Sequence, residues 1–129
     1  MGAAALSKNR AFLADSGGAA AIEFAIVGPV FLLLVIGLLY GCLMLFGVAS
    51  LHYAVEEGAR CASVKTTVYT DSDSILAYTR TVYFGPMMSP AFTYATPACG
   101  HAVTGTANFH FNFAVADIPV PLTATACFP

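Results

Sequence analysis

The sequence predicts an α+β protein with a long N-terminal transmembrane and stalk helix, a short second helix and a small antiparallel β-sheet. Residues 24–55 contain no Asp, Glu, Lys or Arg, a run longer than the about 20 apolar residues that span a bilayer as a helix. Residues 103–115 and 122–128 alternate between apolar and polar side chains, as strands with one buried face do. Residues 74–84 lie between possible helix caps and a Gly-Pro pair, which predicts the short helix.

The apolar run that begins at Phe24 is the first element of this fold. As a helix it would reach roughly 48 Å at about 1.5 Å per residue, whereas the hydrocarbon core of a bilayer is about 30 Å thick. From Leu51 to Lys65 the helical period continues with small and apolar residues along one side. We therefore predict a span and stalk over residues 19–65, followed by a small exported α+β module over residues 66–129.

The residues before the run indicate how the chain enters the membrane. Small residues occupy positions 17–21 and so precede the apolar segment, whereas the cleavage site of a secretory signal peptide follows it. A cut here would leave the helix on the mature chain. Lys8 and Arg10 precede the span with Asp15 as the only acid. The positive-inside rule then predicts a single pass with a cytoplasmic N-terminus and a periplasmic or extracellular C-terminal module.

The segment from Gly18 to Phe24 reads GAAAIEF and resembles a class III (type IV) prepilin processing site. In that family the peptidase cuts after the glycine, and glutamate is the fifth residue of the mature chain. A cut between Gly18 and Ala19 makes Glu23 the fifth residue. The resemblance therefore implies that residues 1–18 are a leader peptide.

The longer stretch over residues 17–62 is similar to TadE-like pseudopilins of the tight-adherence (Tad/Flp) type IVb pilus system, and the predicted fold is pilin-like. The similarity rests on the run AAAIEFAIVGPVFLLLVIGLLYG and on the sequence EGAR at residues 57–60. Major Flp pilins carry tyrosine directly after the glutamate and are very short. Phe24 and the longer chain favour a minor pseudopilin of the inner membrane.

The resemblance also implies a role for Glu23 and a set of partners. Glu23 of an incoming subunit would pair with the α-amine of its neighbour and set the axial register. The alternative is that Glu23 lies at the headgroups, stabilised by the positive end of the helix. The implied partners are the prepilin peptidase, the inner-membrane assembly platform, the major Flp pilin, a sister pseudopilin and the lipid bilayer. A place at the pilus tip, in the filament or only in the assembly machine is left open.

Two features inside the span bear on helix packing. Proline removes a backbone hydrogen bond, so Gly28-Pro29 predicts a kink. By resemblance to pilins it marks a place where the helix loosens on assembly, and a tolerated membrane-helix kink is the alternative. Gly37 and Gly41 form a small-xxx-small pair that lets another helix approach closely.

The module after the stalk is predicted as one helix and three strands. Gly85-Pro86 ends the helix, and a short strand is expected near residues 92–95. The long strand 103–115 pairs antiparallel with 122–128 over the stalk helix, after a break at residues 117–121. His110 falls on the polar face of its strand, where we expect it to be solvated.

The cysteines support export. Cys99 and Cys127 both fall in the exported module, where an oxidising compartment permits a disulfide. Cys61 is the competing partner, and the spacing of the residues does not decide the pairing. No Cys-x-x-Cys occurs, so we expect no zinc or redox site.

No spacing of acids, serines or histidines resembles a catalytic constellation. We therefore expect this protein to be the substrate of a peptidase and not an enzyme itself, and we expect it to bind no cofactor and no metal. A net charge of −2 without a basic patch gives no reason to expect nucleic acid. Two functions from different classes remain: a minor pseudopilin in pilus assembly, and an uncleaved single-pass protein whose external module binds a partner.

Overall fold

The computed structural model describes residues 17–86, 88–113 and 116–129, and it confirms the predicted α+β fold. Residues 1–16 of the predicted leader lie outside the described residues. The three strands form one antiparallel sheet in the order β1-β2-β3. The elements are α1 (Gly17–Val64), α2 (Ser72–Val82), β1 (Ala91–Ala95), β2 (His101–Phe113) and β3 (Ala116–Phe128).

The chain divides into two compact units, one ending at Leu39 and the other running from Tyr40 to Pro129. In the first unit, α1 exposes almost all of its large apolar side chains. Leu33, for example, is 68% exposed. The segment Gly18–Val64 is long and apolar enough to cross a membrane. This fits a single-pass anchor, because exposed apolar surface of this extent needs a cover other than water.

The second unit, which we call the folded unit, has its core where α1 meets α2 and the sheet. The residues that α1 contributes recur at helical spacing, so they form one stripe on its surface. The core comprises Leu51, Ala54, Val55, Ala59 and Ala62 of α1, Ile75 of α2, Phe92 of β1, Val103 and Ala107 of β2, and Ala124 of β3.

A glycine in the middle strand allows the sheet to lie against α1. A Cβ atom at Gly105 would lie 2.8 Å from Leu51 Cδ1 and 3.0 Å from Val55 Cγ1. These distances are too short for carbon atoms, so any other residue at this position requires a shift of the strand or of these side chains. The contact confirms that the strand pair packs over the stalk helix.

A second glycine sets the distance between α1 and α2. A Cβ atom at Gly58 would collide with the hydroxyl of Thr79 and would lie 3.3 Å from Thr79 Cβ. Thr79 is fully buried, and its hydroxyl donates to the carbonyl of Ile75 at 2.8 Å. The two helices therefore touch backbone to side chain at this crossing.

Helix α2 ends two residues earlier than predicted. Tyr83 already has an extended backbone, with ψ of 122°, and the following N–H of Phe84 donates to Ser50 Oγ at 3.0 Å. Ser50 is fully buried on α1. A hydrogen bond to α1 thus fixes the chain before Gly85-Pro86 is reached.

The predicted break at residues 117–121 is wrong, because these residues belong to β3. Pro119 pairs with His110 and Pro121 pairs with Asn108. A proline has no N–H to donate, so it is excluded from central strands but tolerated on an edge. β3 is an edge strand, and two prolines two residues apart turn their nitrogens to the same outer side.

Cys99 and Cys127 form a disulfide with a Cα–Cα distance of 6.3 Å. It joins the loop after β1 to the end of β3, at the end of the sheet where His101 pairs with Phe128. Cys61, the competing partner, is a buried free thiol on α1.

We expect Gly58→Ala to destabilise the folded unit. The added methyl group meets the buried Thr79, and overpacking of this kind costs about 1–3 kcal/mol, offset by about 1 kcal/mol of helix propensity. Pulse proteolysis of the full-length protein in detergent across a urea series would measure the free energy of unfolding. Gly41→Ala is the matched control, since a Cβ there meets nothing within 4 Å. Equal effects of the two substitutions would contradict the close crossing, and Thr79→Ala should partly rescue Gly58→Ala.

Loss of the disulfide should also weaken the folded unit. With the loop between Cys99 and Cys127 no longer closed, the chain-entropy model gives a loss of about 3–4 kcal/mol. The double substitution Cys99→Ser/Cys127→Ser and treatment of the natural protein with reductant should lower stability to the same extent in the same assay. Cys42→Ser, which alters an exposed free thiol, should leave stability unchanged. A reductant-insensitive natural protein would count against a structural role for this bond.

Candidate functional site

The first turn of α1 contains the predicted processing site. Gly18 and Ala19 are both helical and exposed, and a Cβ atom at Gly18 would meet nothing within 4 Å. The packing of the folded chain therefore gives no reason for glycine at this position. The first four N–H groups of a helix have no partner within it, and Gly18 and Ala19 belong to this first turn.

Glu23 lies about one turn after Ala19 on the same helix and is exposed. It is the only acid between Asp15 and Glu56. Among the described residues it has no ion-pair partner. A carboxylate on a lipid-facing helix is costly unless it is paired or reaches the headgroups, so the predicted pairing of Glu23 stays a prediction.

A shallow apolar groove of about 530 Å³ lies one turn further along α1. Gly28 lines this groove next to Phe24. A Cβ atom at Gly28 would lie 3.8 Å from the Phe24 ring, so the missing side chain leaves space beside the ring. The helix continues through Pro29, which leaves the carbonyl of Ala25 without its usual donor. The predicted kink and its role in assembly stay predictions. The lining residues are Phe24, Ala25, Gly28, Pro29, Phe31 and Leu32.

Gly37 and Gly41 lie about one helical turn apart on α1 and expose its backbone, because neither has a side chain. A Cβ at either position would meet nothing within 4 Å. In the described part of the chain no neighbouring side chain fills these positions, and their use by another helix stays a prediction. The predicted site residues on α1 thus lie in sequence order along one exposed helix rather than converging on a pocket.

His110, which the sequence predicts to be solvated, lies next to Asp117 in the structure. His110 Nδ1 lies 3.1 Å from both carboxylate oxygens of Asp117, and both side chains are half exposed. The contact is diagonal across β2 and β3, since Asn112 is the direct partner of Asp117. The pairing was missed because residues 117–121 were assigned to a break.

Aromatic residues of the folded unit form two clusters against α1. The Tyr40 ring lies 5.9 Å from that of Phe111, and Phe111 lies 4.9 Å from Phe109. Further along α1, Phe84 is bracketed by two helical aromatics at 5.7 and 5.6 Å, and all three are about half exposed. Those two are Phe46 and Tyr53.

The described residues offer little for catalysis or metal binding. Burial raises the pKa of the Cys61 thiol, with Lys65 acting in the opposite direction, so the thiol stays protonated at neutral pH and is a poor nucleophile. Within residues 17–86, 88–113 and 116–129, no group of three or more His, Cys, Asp or Glu could hold a metal ion.

Residues 18–60 match the family described as TadE-like protein. The matched segment begins at Gly18 and ends at Arg60, so it covers most of α1 but neither α2 nor the sheet. No curated protein matches the chain, and no solved structure matches it.

Proposed function

We propose that this protein is a minor pseudopilin required for assembly of a Tad/Flp type IVb pilus used in surface adherence. The observation that carries the proposal is the TadE-like segment, whose match begins at Gly18. A prepilin peptidase cuts between Gly18 and Ala19. The cut removes the leader, leaves nearly the whole of α1 on the mature chain and creates a new α-amine at Ala19.

The exposed Glu23 supports an assembly role for this new terminus. An ionised carboxylate near hydrocarbon gains from any cation that reaches it. Another subunit brings one such cation, its own α-amine. Because Glu23 has no ion-pair partner among the described residues, the pairing between subunits breaks no ion pair with any of them.

The remaining features of α1 suit contact with other helices in a filament or an assembly platform. Gly37 and Gly41 allow close approach, and the groove around Gly28 and Pro29 accepts an apolar side chain. In this proposal the N-terminus is cytoplasmic, the folded unit is outside, and the partners are the peptidase, the inner-membrane platform, the major Flp pilin and a sister pseudopilin.

A second candidate function is that of an uncleaved single-pass anchor whose external part binds a partner. The exposed aromatic cluster of Phe46, Tyr53 and Phe84 favours it, because aromatic side chains are enriched at binding surfaces. The state of the N-terminus separates the two functions.

In cells that carry the peptidase, we expect the natural protein to begin at Ala19 and Gly18→Leu to remain full length. A large side chain before the cut prevents the extended backbone from fitting a narrow cleft. N-terminal sequencing and intact mass of protein purified from membranes make the measurement. Nothing lies within 4 Å of a Cβ at Gly18, so misfolding does not explain a processing defect.

Gly17→Leu is the matched control and should still yield a chain that begins at Ala19. Normal processing of Gly18→Leu would refute the assigned cut. A natural protein that begins at Met1 would favour the anchor function instead.

Glu23→Ala should be cleaved normally but should abolish or strongly reduce pilus formation and adherence. The substitution removes the carboxylate that pairs with the α-amine while leaving the cleavage site intact. Pili counted by electron microscopy, adherence to a surface and the mass of the mature chain give the three readouts. Glu56→Ala, which removes an exposed acid from the same helix, should keep all three near normal. Wild-type numbers of pili from Glu23→Ala would exclude this role.

A further inference from the structure

The hairpin formed by β2 and β3 packs along the part of α1 that belongs to the folded unit, from Tyr40 onward. Gly105, near the middle of β2, faces Leu51 and Val55. Six residues nearer the turn, Phe111 lies against Tyr40, with 5.9 Å between ring centroids. The Tyr40 hydroxyl also donates to the carbonyl of Asn112 at 3.5 Å. Phe111 and Asn112 of β2 therefore lie near the start of the folded unit.

Tyr40 is close to the place where a span would leave the membrane. About 20 helical residues cross the hydrocarbon core. A span that begins at Phe24, the first residue of the charge-free run, therefore ends near Leu43. Tyrosine is enriched at such an interface, because its ring is apolar and its hydroxyl is polar.

The end of the hairpin has the composition of a surface that touches lipid. Ile118 pairs with Phe111 across the two strands and is 52% exposed, so its side chain is available to a lipid surface. Residues 113–116 read Phe-Ala-Val-Ala in the sequence, with none of the Asn, Asp or Gly residues that usually connect hairpin strands. The exposed Ile118 therefore lies close in sequence to an apolar segment.

We propose that the end of the β2–β3 hairpin rests in the interface of the outer leaflet, with Tyr40, Phe111 and Ile118 among the headgroups and upper acyl chains. We favour a lipid surface as the partner of Tyr40, Phe111 and Ile118, because these apolar side chains adjoin the predicted end of the span. The inference goes beyond pilus assembly and holds for either candidate function, since both place α1 in a bilayer.

A carboxylate and a histidine side chain limit the depth of this contact. Asp117 lies next to the turn, and His110 Nδ1 is 3.1 Å from its carboxylate. This pair is half exposed on the opposite face of the sheet from Ile118, where headgroups and water can reach it. Burial in hydrocarbon would desolvate it, so the hairpin stays at headgroup level.

The contact is apolar rather than electrostatic. The last Lys or Arg of the chain is Arg80, so the hairpin has no cation to attract anionic lipids. Binding should accordingly be the same in zwitterionic and in anionic bilayers, and it should not respond to salt.

The chain has no tryptophan, which allows a direct test with single-tryptophan variants of the full-length protein in phosphatidylcholine vesicles. We expect Ile118→Trp to show blue-shifted emission and quenching by lipids brominated near the carbonyl groups. The same result is expected when phosphatidylglycerol is added. Val68→Trp is the matched control, because it also replaces an exposed β-branched aliphatic, 66% exposed, in the folded unit. It lies beyond the end of α1 and should be neither shifted nor quenched.

Leu33→Trp, in the predicted span, reports insertion of α1 itself and should be quenched by lipids brominated deep in the chains. Quenching of Leu33→Trp without quenching of Ile118→Trp would overturn the hairpin contact and leave the proposed function standing. Equal quenching at positions 118 and 68 would also overturn it, as would quenching of Ile118→Trp only with phosphatidylglycerol. Absence of quenching at position 33 would remove the membrane span, and with it both proposals.

Discussion

The folded unit depends on the contact between Gly105 of β2 and the side chains of Leu51 and Val55 on α1. Both side chains are almost fully buried, and they are buried because a backbone without a Cβ atom lets the sheet come this close. β1 and β3 pair with β2 on either side, so the placement of β2 determines theirs. The Gly58 crossing does the same for α2. Two missing methyl groups thus allow a sheet and a helix to pack on one long α1.

The same helix meets two different environments along its length, and its sequence suits both. Near Leu33 the large side chains are about two-thirds exposed, whereas Ala54 and Val55 have no exposed surface. Apolar residues in the first part require lipid or another helix as their cover, and those in the second part are covered by the chain itself. About 20 helical residues cross a bilayer, fewer than the charge-free run contains. The sheet and α2 cover much of the part of the run that is not needed for the span.

Most elements of the fold were predictable from the pattern of apolar and polar residues in the sequence. The long helix followed from an apolar run without charges, continued by a helical period from Leu51 to Lys65. The two long strands followed from side chains that alternate every two residues. The error at β3 arose because proline marks a break in most strands, and only the sheet order shows that Pro119 and Pro121 lie on an edge. The contact between His110 and Asp117 was hidden by that error. The role of Gly58 had no sequence signal by itself, because it depends on Thr79, which is distant in sequence and opposite in space.

The sequence shows where the candidate site lies, but it does not show whether its residues also have a role within the fold. Gly18 and Glu23 stand out by their spacing alone, and the structure adds that neither is needed for packing or for an ion pair within the described chain. That absence of an internal role is informative, because a glycine and a carboxylate at the exposed end of an apolar helix cost stability in lipid or add none. In the proposed function their benefit is realised outside the folded chain, first in the peptidase and then in a neighbouring subunit.

In the proposed function, a subunit moves from lipid into a filament and exchanges one apolar cover for another. Between Phe24 and Leu39 no charged group has to be desolvated in that exchange, and apolar surface has nearly the same free energy against lipid tails as against other helices. The transfer therefore has little hydrophobic driving force of its own, and what remains is packing and Glu23. A single carboxylate at the start of the run can decide where the helix stops, because it is the one group there whose energy differs strongly between being paired and unpaired.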